Sequence, residues 1–205
     1  MTEDRQQALE AVHAQIRRCE QCPLHMGRTH TVPGMGPLDA ALMFIGEAPG
    51  FHEDQQGVPF VGAAGQFLSE LLDKAGIDRH SVFITNVLKC RPPSNRDPLP
   101  EEVAACKDYL DQQIALIRPQ IIVTLGRHSM ARAFPDEKIS AVHGQPRRVG
   151  EWVYFPMFHP AAALHQPSLR GTVEADFARL RDLLDGKIVP DEYTPPPPLE
   201  QLSLF

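Results

Sequence analysis

The sequence contains no long apolar segment. No apolar run approaches the roughly 18 residues of a membrane-spanning helix. The first residues, Thr2, Glu3 and Asp4, are polar or acidic, unlike the basic and apolar start of a secretory signal. We therefore expect a cytoplasmic, monomeric protein without a membrane span. The 205 residues, of which 42% are hydrophobic and 22% charged, suit one globular domain with a full core.

The sequence also has no overall excess of positive charge, since its formal net charge is -6. Nucleic-acid phosphates are normally bound by Lys and Arg, so this average argues against such a partner. The charge is uneven, however, because residues 126–170 carry six Lys or Arg against three Asp or Glu. A locally positive face binds a polyanion weakly and with strong salt dependence, and the alternative is an ordinary solvated surface of mixed charge.

Short apolar runs alternate with segments of helical periodicity along the chain. We predict buried strands at residues 41–45, 82–88, 120–125 and 152–158, and helices near residues 9–16, 67–75, 98–117, after 126 and 172–184. This alternation predicts an α/β fold of three layers, α/β/α, around a central, mainly parallel four-stranded sheet. Residues 1–187 form the predicted domain. Residues 188–205 form a predicted flexible tail, because the four prolines at 195–198 favour an extended chain.

Three of the predicted strands end in a polar residue within a tight turn. Glu47 follows the first strand in a turn of small residues, Asn86 ends the second strand, and His159 ends the fourth. The carboxyl ends of parallel strands border the ligand crevice of such a sheet, so we expect these three side chains to converge. Taken singly, each is more typical of a connecting turn or a structural residue. Their combination predicts an active site.

The sequence has only four cysteines, namely Cys19, Cys22, Cys90 and Cys106. A cytoplasmic chain has little use for disulfides, and a Cys-x2-Cys pair at a helix end places two thiolates on one centre. Four sulfur ligands suit zinc or a [4Fe–4S] cluster, and the absence of a second Cys-x2-Cys slightly favours iron–sulfur. The alternative is that Cys106, at an inward helix position, is simply buried.

Five motifs taken together resemble the uracil-DNA glycosylase superfamily, and most closely its family 4, the iron–sulfur enzymes. The resemblance extends over residues 16–184, and five motifs in order are specific where each alone is weak. The motifs are Gly46-Glu-Ala-Pro-Gly50, Gly57-Val-Pro-Phe-Val-Gly62, Thr85-Asn-Val-Leu-Lys-Cys-Arg-Pro-Pro93, His159-Pro-Ala-Ala-Ala163 and the four cysteines. The resemblance implies a repair enzyme that removes uracil from DNA, with a structural [4Fe–4S] cluster bound by those cysteines.

The resemblance also implies a base-binding pocket. Phe60 would stack on the extruded uracil, and the Asn86 amide would accept from N3–H and donate to O4 of the base. Backbone N–H groups after Gly46, at positions such as Ala48, would bind O2 of uracil. Leu164 would fill the space that the uracil leaves in the base stack.

The implied catalytic residues are Glu47, Glu53 and His159. By resemblance, His159 donates a hydrogen bond near O2 of the leaving uracil. Relatives in the superfamily often carry an Asp at the place of Ala48 to position the attacking water. The substitution leaves that role open between Glu47 and Glu53. Some relatives that lack a general base still cleave the bond, because the leaving anion is stabilised electrostatically.

Two other functions are compatible with the same features. One is a non-catalytic iron–sulfur module that binds nucleic acid and keeps the fold, although the joint presence of Glu47, Asn86 and His159 argues against it. The other is a zinc-dependent hydrolase, which is disfavoured because a closed site would use all four cysteines.

The C-terminal peptide predicts a protein partner. Its residues Gln201, Leu202, Leu204 and Phe205 resemble the short peptide by which bacterial repair proteins dock on the DNA-polymerase sliding clamp. Exposed apolar residues at the end of a flexible tail otherwise invite aggregation. The alternative is that Leu204 and Phe205 fold back onto the domain.

Overall fold

The structure is a computed structural model that describes residues 2–194. Within that range six strands form one sheet, in the order β2-β1-β3-β5-β4-β6. They are β1 (Leu42–Gly46), β2 (Phe83–Asn86), β3 (Ile121–Leu125), β4 (Arg147–Val149), β5 (Trp152–Met157) and β6 (Asp191–Glu192). Strands β2, β1, β3 and β5 are parallel, whereas β4 is antiparallel to β5.

The predicted α/β class and the four parallel strands are confirmed, but the predicted strand number of four is too small. The two additional strands are short and lie at one edge of the sheet. β4 is half-buried and contains two arginines, and β6 consists of two exposed acidic residues. Neither has the apolar run that identifies a buried strand, so periodicity does not reveal them.

Eight α-helices accompany the sheet within residues 2–194. They are α1 (Thr2–Arg17), α2 (Phe51–Gln56), α3 (Ala63–Lys74), α4 (Pro100–Ile117), α5 (Arg127–Met130), α6 (Ile139–Val142), α7 (Pro160–His165) and α8 (Arg170–Leu184). None of these is long and apolar enough to cross a membrane. The helix expected after Gly126 is only the four residues of α5.

Short helices follow two of the strand ends at which the sequence predicts a tight turn. α2 follows β1 and ends at Gly57, whose φ of 70° suits a glycine C-cap. α7 follows β5 and begins with Pro160, and the ring of His159 accepts a hydrogen bond from the Ala161 N–H as its N-cap. α7 is rich in small residues, whereas α2 consists of larger, mainly polar ones, and each is only six residues long.

Helices cover both faces of the sheet and complete the three layers. In β1, alternate residues face opposite sides, so Phe44 packs with α3 and α8 while Met43 and Ile45 pack with α1 and α4. Phe44 stacks on Phe177 of α8 with ring centroids 6.1 Å apart. All five residues of β1 are buried, as its position between β2 and β3 requires.

The chain contacts the edge of the sheet beyond Lys187. β6 pairs with β4, and the Tyr193 ring lies 4.9 Å from Phe134 and 5.3 Å from the guanidinium of Arg147. The division into a domain of residues 1–187 and a tail of residues 188–205 stays a prediction. Contacts with the sheet extend past this boundary as far as Tyr193. The clamp-like peptide at residues 201–205 lies outside the described residues.

Candidate active site

The carboxyl ends of β1, β2 and β5 open into one cavity of about 550 Å³. Glu47, Asn86 and His159, expected to converge, all line it, together with Ala48, Glu53 and Phe60 from the same expectation. The other lining residues are Pro49, Gly50, Ala64, Pro92, Asn95, Arg96, Asp97, Ala161 and His165. The volume is in the range of small-molecule pockets, and eight of the fifteen lining residues are polar or charged.

Gly46 allows Asn86 and Phe60 to meet over the backbone of β1. Gly46 is the register partner of Asn86. A Cβ atom on Gly46 would lie 2.3 Å from Asn86 Oδ1 and 2.7 Å from Phe60 Cζ, so no larger residue fits. Asn86 is 1% exposed, and its Oδ1 has no hydrogen-bond partner within residues 2–194. A buried acceptor without a partner is costly, which indicates a ligand donor at this position.

Phe60 is held in an uncommon backbone conformation. Its φ is 55°, and its carbonyl oxygen accepts a hydrogen bond of 2.8 Å from Arg79 Nη2. A Cβ atom on Gly65 would lie 1.8 Å from that oxygen, so only glycine is accommodated there. The Phe60 ring stacks on His159, with centroids 5.6 Å apart and an interplanar angle of 28°. Residues with a strained backbone conformation that neighbouring contacts maintain are characteristic of binding sites.

The ring of His159 is neutral at neutral pH. Burial lowers its pKa to about 4, against the opposing charge of Glu53. Its Nδ1 accepts a hydrogen bond of 3.1 Å from the Ala161 N–H. An accepting Nδ1 has no proton, so the single proton of the neutral ring is on Nε2. His159 therefore offers one N–H donor to the site.

Glu53 is bound to the segment that follows Phe60. Its Oε1 accepts hydrogen bonds of 2.8 Å from the N–H groups of both Val61 and Gly62. Two amide donors on one carboxylate oxygen fix its orientation and thereby the Phe60 loop.

Glu47 belongs to a charged cluster at the wall of the cavity. The Nε2 atom of His128 lies 3.7 Å from Glu47 Oε2 and 3.5 Å from Asp97 Oδ1, and Arg127 pairs with Asp97. Burial raises the pKa of Glu47, Asp97 raises it further, and His128 and Arg127 oppose the shift. Asp97, His128 and the cavity residue Asn95 are not among the site residues expected from the sequence.

Local signals for these additional residues were weak. Asn95 lies in a 3₁₀ turn with a φ of 53°, a conformation that Asn tolerates better than most residues, and the sequence shows only a polar turn there. His128 lies on the short helix α5, which follows β3. Its approach to Glu47 depends on the order of strands in the sheet, where β1 neighbours β3, and not on a motif.

Leu164 lies on α7 at the rim of the cavity. Ala161 and His165 of the same helix line the cavity, whereas the Leu164 side chain is 43% exposed. An exposed leucine beside a pocket is positioned to contact a large ligand that covers the pocket opening.

The four cysteines lie around a second, small cavity. Cys19 and Cys22 follow α1, Cys90 follows β2, and Cys106 is on α4. All four are free thiols, and Arg28 Nη1 lies 3.3 Å from Cys90 Sγ as a donor. Burial raises the pKa of Cys106 to about 11 and also raises the pKa of Cys22 and Cys90. Two buried and two half-buried cysteines that line one cavity are suited to a shared metal centre.

Lys89 links the two cavities. It is buried, and its Nζ donates to Thr85 Oγ1 at 2.6 Å, to the Asn86 carbonyl oxygen at 2.8 Å and to Gln113 Oε1 at 2.8 Å. The next residue along the chain is Cys90. The ammonium therefore fixes the backbone between the cysteine cluster and Asn86.

Comparison with protein families identifies the family to which this chain belongs. The family model of the uracil DNA glycosylase superfamily matches residues 33–184. The chain belongs to this superfamily. The matched segment contains β1, β2, β3 and β5 and therefore every strand that contributes to the candidate active site.

Type-4 members of the superfamily are similar over nearly their whole length. The type-4 uracil-DNA glycosylase of Sulfurisphaera tokodaii is 46% identical over 197 residues, which cover 91% of this chain and 88% of that protein. The one of Saccharolobus solfataricus is 45% identical, covering 87% and 88% of the two chains. The one of Archaeoglobus fulgidus is 45% identical, covering 88% and 96%. These matches confirm the resemblance to family 4 inferred from the five motifs.

Proposed function

We propose that the protein is a DNA repair glycosylase that extrudes uracil from DNA and hydrolyses its N-glycosidic bond, leaving an abasic site. The observation that carries this proposal is the buried, unpaired Asn86 Oδ1 in a cavity that also contains Phe60 and His159. The type-4 relatives, which are named for uracil and DNA, support the substrate.

Asn86 selects uracil over cytosine. Its Oδ1 accepts the N3–H of uracil and its amide N–H donates to O4, while Phe60 stacks on the base. Cytosine has an acceptor at N3 and a donor at C4, so the fixed amide would face like groups at both atoms. One mispaired buried group costs about 1–3 kcal/mol, enough for strong discrimination.

His159 stabilises the uracil anion as it leaves. The bond between C1′ of the sugar and N1 of uracil breaks, and its electron pair goes to the base. The Nε2–H of neutral His159 and the backbone N–H groups near Gly46 and Ala48 donate to the developing charge at O2. A neutral donor that is already fixed in place needs no reorganisation during the reaction and therefore lowers the barrier.

Glu47 positions the attacking water. The water oxygen bonds to C1′, and the carboxylate of Glu47 takes the released proton. Burial raises the pKa of Glu47, which makes it a stronger base near neutral pH. Glu53 is the weaker candidate because one of its oxygens is already bound to two backbone amides. We assign to Glu53 the positioning of the Phe60 loop.

The cysteine cavity suits a [4Fe–4S] cluster. Four thiols from three separate segments line it, and Arg28 donates to one sulfur, which stabilises thiolate charge. Cys19, Cys22, Cys90 and Cys106 would hold the cluster, which would supply structural cross-linking of α1, α4 and the segment after β2 rather than reaction chemistry. Zinc is the alternative for this donor set, and metal analysis with visible absorption distinguishes the two.

The tail docks the enzyme on the DNA-polymerase sliding clamp through Gln201, Leu202, Leu204 and Phe205. Tethering raises the local DNA concentration, which compensates for a net charge of -6. Deletion of residues 201–205 should abolish clamp binding in a pull-down and leave uracil release from short oligonucleotides unchanged. A truncated protein that still binds the clamp but melts at a markedly lower temperature would instead support the fold-back alternative.

The central experiment measures uracil release from oligonucleotides with U·G, U·A or single-stranded uracil. Wild-type protein should release uracil without added nucleotide. Asn86→Ala should lower kcat/KM by tenfold to a hundredfold or more, because the lost hydrogen bonds raise the barrier and each ~1.4 kcal/mol corresponds to a factor of ten. Gln112→Ala, which removes an exposed amide on α4, is the matched control and should have no effect.

Two outcomes would contradict the proposal. No release by the wild-type protein would exclude the activity and favour a non-catalytic nucleic-acid-binding module. Full activity of the Asn86→Ala variant would retain the activity but refute the pocket assignment.

A further inference from the structure

One aromatic side chain stands out on the surface of the described residues. Among residues 2–194, the large apolar side chains that are well exposed are Met26, Met35, Phe51, Leu99, Leu164 and Val189. Phe51, at 51% exposure, is the single aromatic in that set. It is the first residue of α2, directly after Gly50, and both Gly50 and Glu53 line the candidate active site. Phe51 therefore begins a helix whose N-cap and third residue line the cavity.

The Phe51 ring is held by a cation that is itself attached to the cavity wall. The guanidinium carbon of Arg91 lies 5.2 Å from the ring centroid, within the range of a cation–π contact. Arg91 Nε also donates a hydrogen bond of 2.8 Å to Asn95 Oδ1, and Asn95 lines the cavity. The His52 ring meets Phe51 edge-on at 5.4 Å. These contacts orient the ring before any ligand arrives, which lowers the entropy cost of binding.

The charge of Arg91 is available to an anionic ligand. Its hydrogen-bond partner is a neutral amide, and within residues 2–194 no carboxylate forms an ion pair with it. An exposed aromatic face beside an uncompensated arginine is the combination that binds single-stranded nucleic acid, because every base has a π-face and every nucleotide a phosphate.

We propose that Phe51 and Arg91 form a stacking site for the unpaired base adjacent to the extruded uracil in the substrate strand. This inference rests on the proposed function of the cavity as the uracil pocket. Extrusion of uracil removes one stacking neighbour of the adjacent base, and the Phe51 face replaces it. Leu164 belongs to the segment after β5, whereas Phe51 belongs to the segment after β1, and β3 separates these strands. The two exposed side chains thus contact the strand from different sides of the cavity.

The test is a double-mutant-type cycle of binding affinities, in which the Phe51 ring and the flanking base are removed separately and together. The ligand is a single-stranded oligonucleotide with a uridine analogue that resists cleavage, flanked on one side or the other by adenine or by an abasic analogue. With full-length protein, the abasic flank should weaken binding about tenfold on one side of the uracil, and Phe51→Ala should do the same with adenine at that flank. The combination should cost no more than either change alone, because both remove one contact.

Variants of the ring separate stacking from simple apolar contact. Phe51→Tyr should retain the coupling to the flanking base, whereas Phe51→Leu should lose it. The KM for uracil-containing single strands should rise in Phe51→Ala by more than kcat falls. Val189→Ala removes another exposed apolar side chain, distant in sequence from the cavity, and should change none of these values.

The proposal would be overturned by losses that multiply in the double change or by unchanged affinity of Phe51→Ala. Its failure is distinct from failure of the proposed function. If the wild-type protein releases uracil from the cleavable oligonucleotide while the cycle shows no coupling, only the stacking site is wrong.

Discussion

Asn86 Oδ1 lies so close to the Cα of Gly46 that a methyl group on Gly46 would be 2.3 Å from it. The two residues are register partners on adjacent parallel strands, and the Gly46 carbonyl oxygen also accepts a hydrogen bond of 3.0 Å from the Val87 N–H. The position of the Asn86 amide, which we propose reads the base, is thus determined by the backbone of β1. A rigid backbone support of this kind holds the amide more precisely than a loop would.

Gly46→Ala tests this support. The added methyl group must displace Asn86 or the Phe60 ring, and displacements of about 1 Å in an active site can cost roughly a hundredfold in rate. We expect a loss of that order in kcat/KM for uracil release, with most of the fold retained. Gly171→Ala is the control, because a Cβ atom there meets nothing within 4 Å. Equal activity of the two variants would contradict the assigned geometry.

The central sheet was predictable because its strands are apolar and short. β1, β2, β3 and β5 are buried almost throughout, and buried strands appear as continuous apolar runs bounded by turn residues. Parallel order places the end of every such strand at one edge, so the convergence of Glu47, Asn86 and His159 follows from the fold class. The edge strands β4 and β6 carry charged residues and lack the apolar run by which a buried strand is predicted.

The remainder of the site depends on contacts between segments distant in sequence. The pairing of Glu47 with His128 requires that β1 and β3 be neighbours. The backbone conformation of Phe60 depends on Arg79 and on the absence of a side chain at Gly65. Neither contact has a local signal in composition or periodicity, and so both require the structure.

Replacement of Lys89 should lower both the free energy of unfolding and the recognition of uracil. Lys89→Met leaves the Thr85 hydroxyl, the Asn86 carbonyl and the Gln113 amide without their buried donor, at roughly 1–3 kcal/mol for each unpaired group, offset in part by the removed cost of burying an ammonium. We expect a net loss of about 2 kcal/mol in the free energy of unfolding and a lower kcat/KM. Lys107→Met, which removes an exposed lysine on α4, is the control. A loss of stability with unchanged kcat/KM would limit Lys89 to a structural role.

Removal of a cysteine should release iron and destabilise the domain. The unfolded chain has no preformed site, so the free energy of metal binding contributes directly to folding. Cys19→Ala and Cys106→Ala should lower iron content and lose roughly 5 kcal/mol or more of stability. Gln21→Ala changes a residue between Cys19 and Cys22 that lines the same cavity and should keep its iron. Normal iron content in both cysteine variants would refute the set of four ligands.

Ionisation of His159 should affect uracil release only near pH 4, below the pH at which Glu47, whose pKa burial raises, is protonated. Burial lowers the pKa of His159 to about 4, and protonation at Nδ1 would break the hydrogen bond from the Ala161 N–H. We expect the single-turnover rate to stay independent of His159 ionisation down to about pH 4 and then to fall up to tenfold per pH unit as the neutral form is depleted. The measurement is the rate of uracil release between neutral pH and the acid limit of the folded protein.

The same lowered pKa links His159 to stability in a pH window that can be measured separately. The unfolded side chain has a pKa of about 6.5, so as pH falls the unfolded state binds the proton first. The contribution to stability is therefore fully present above about pH 6.5 and is lost as pH falls through about 4. His159→Gln should flatten the decline of unfolding free energy across that window.

His13 provides the matched control, because burial also lowers its pKa to about 4 and it lies on α1 outside the cavity. His13→Gln should likewise flatten the pH dependence of stability, while it leaves the pH profile of uracil release unchanged. His159→Gln should change both. If His159→Gln kept the wild-type rate and pH profile, the ring would be only a helix cap for α7, and the donor at O2 would have to be the backbone near Gly46 alone.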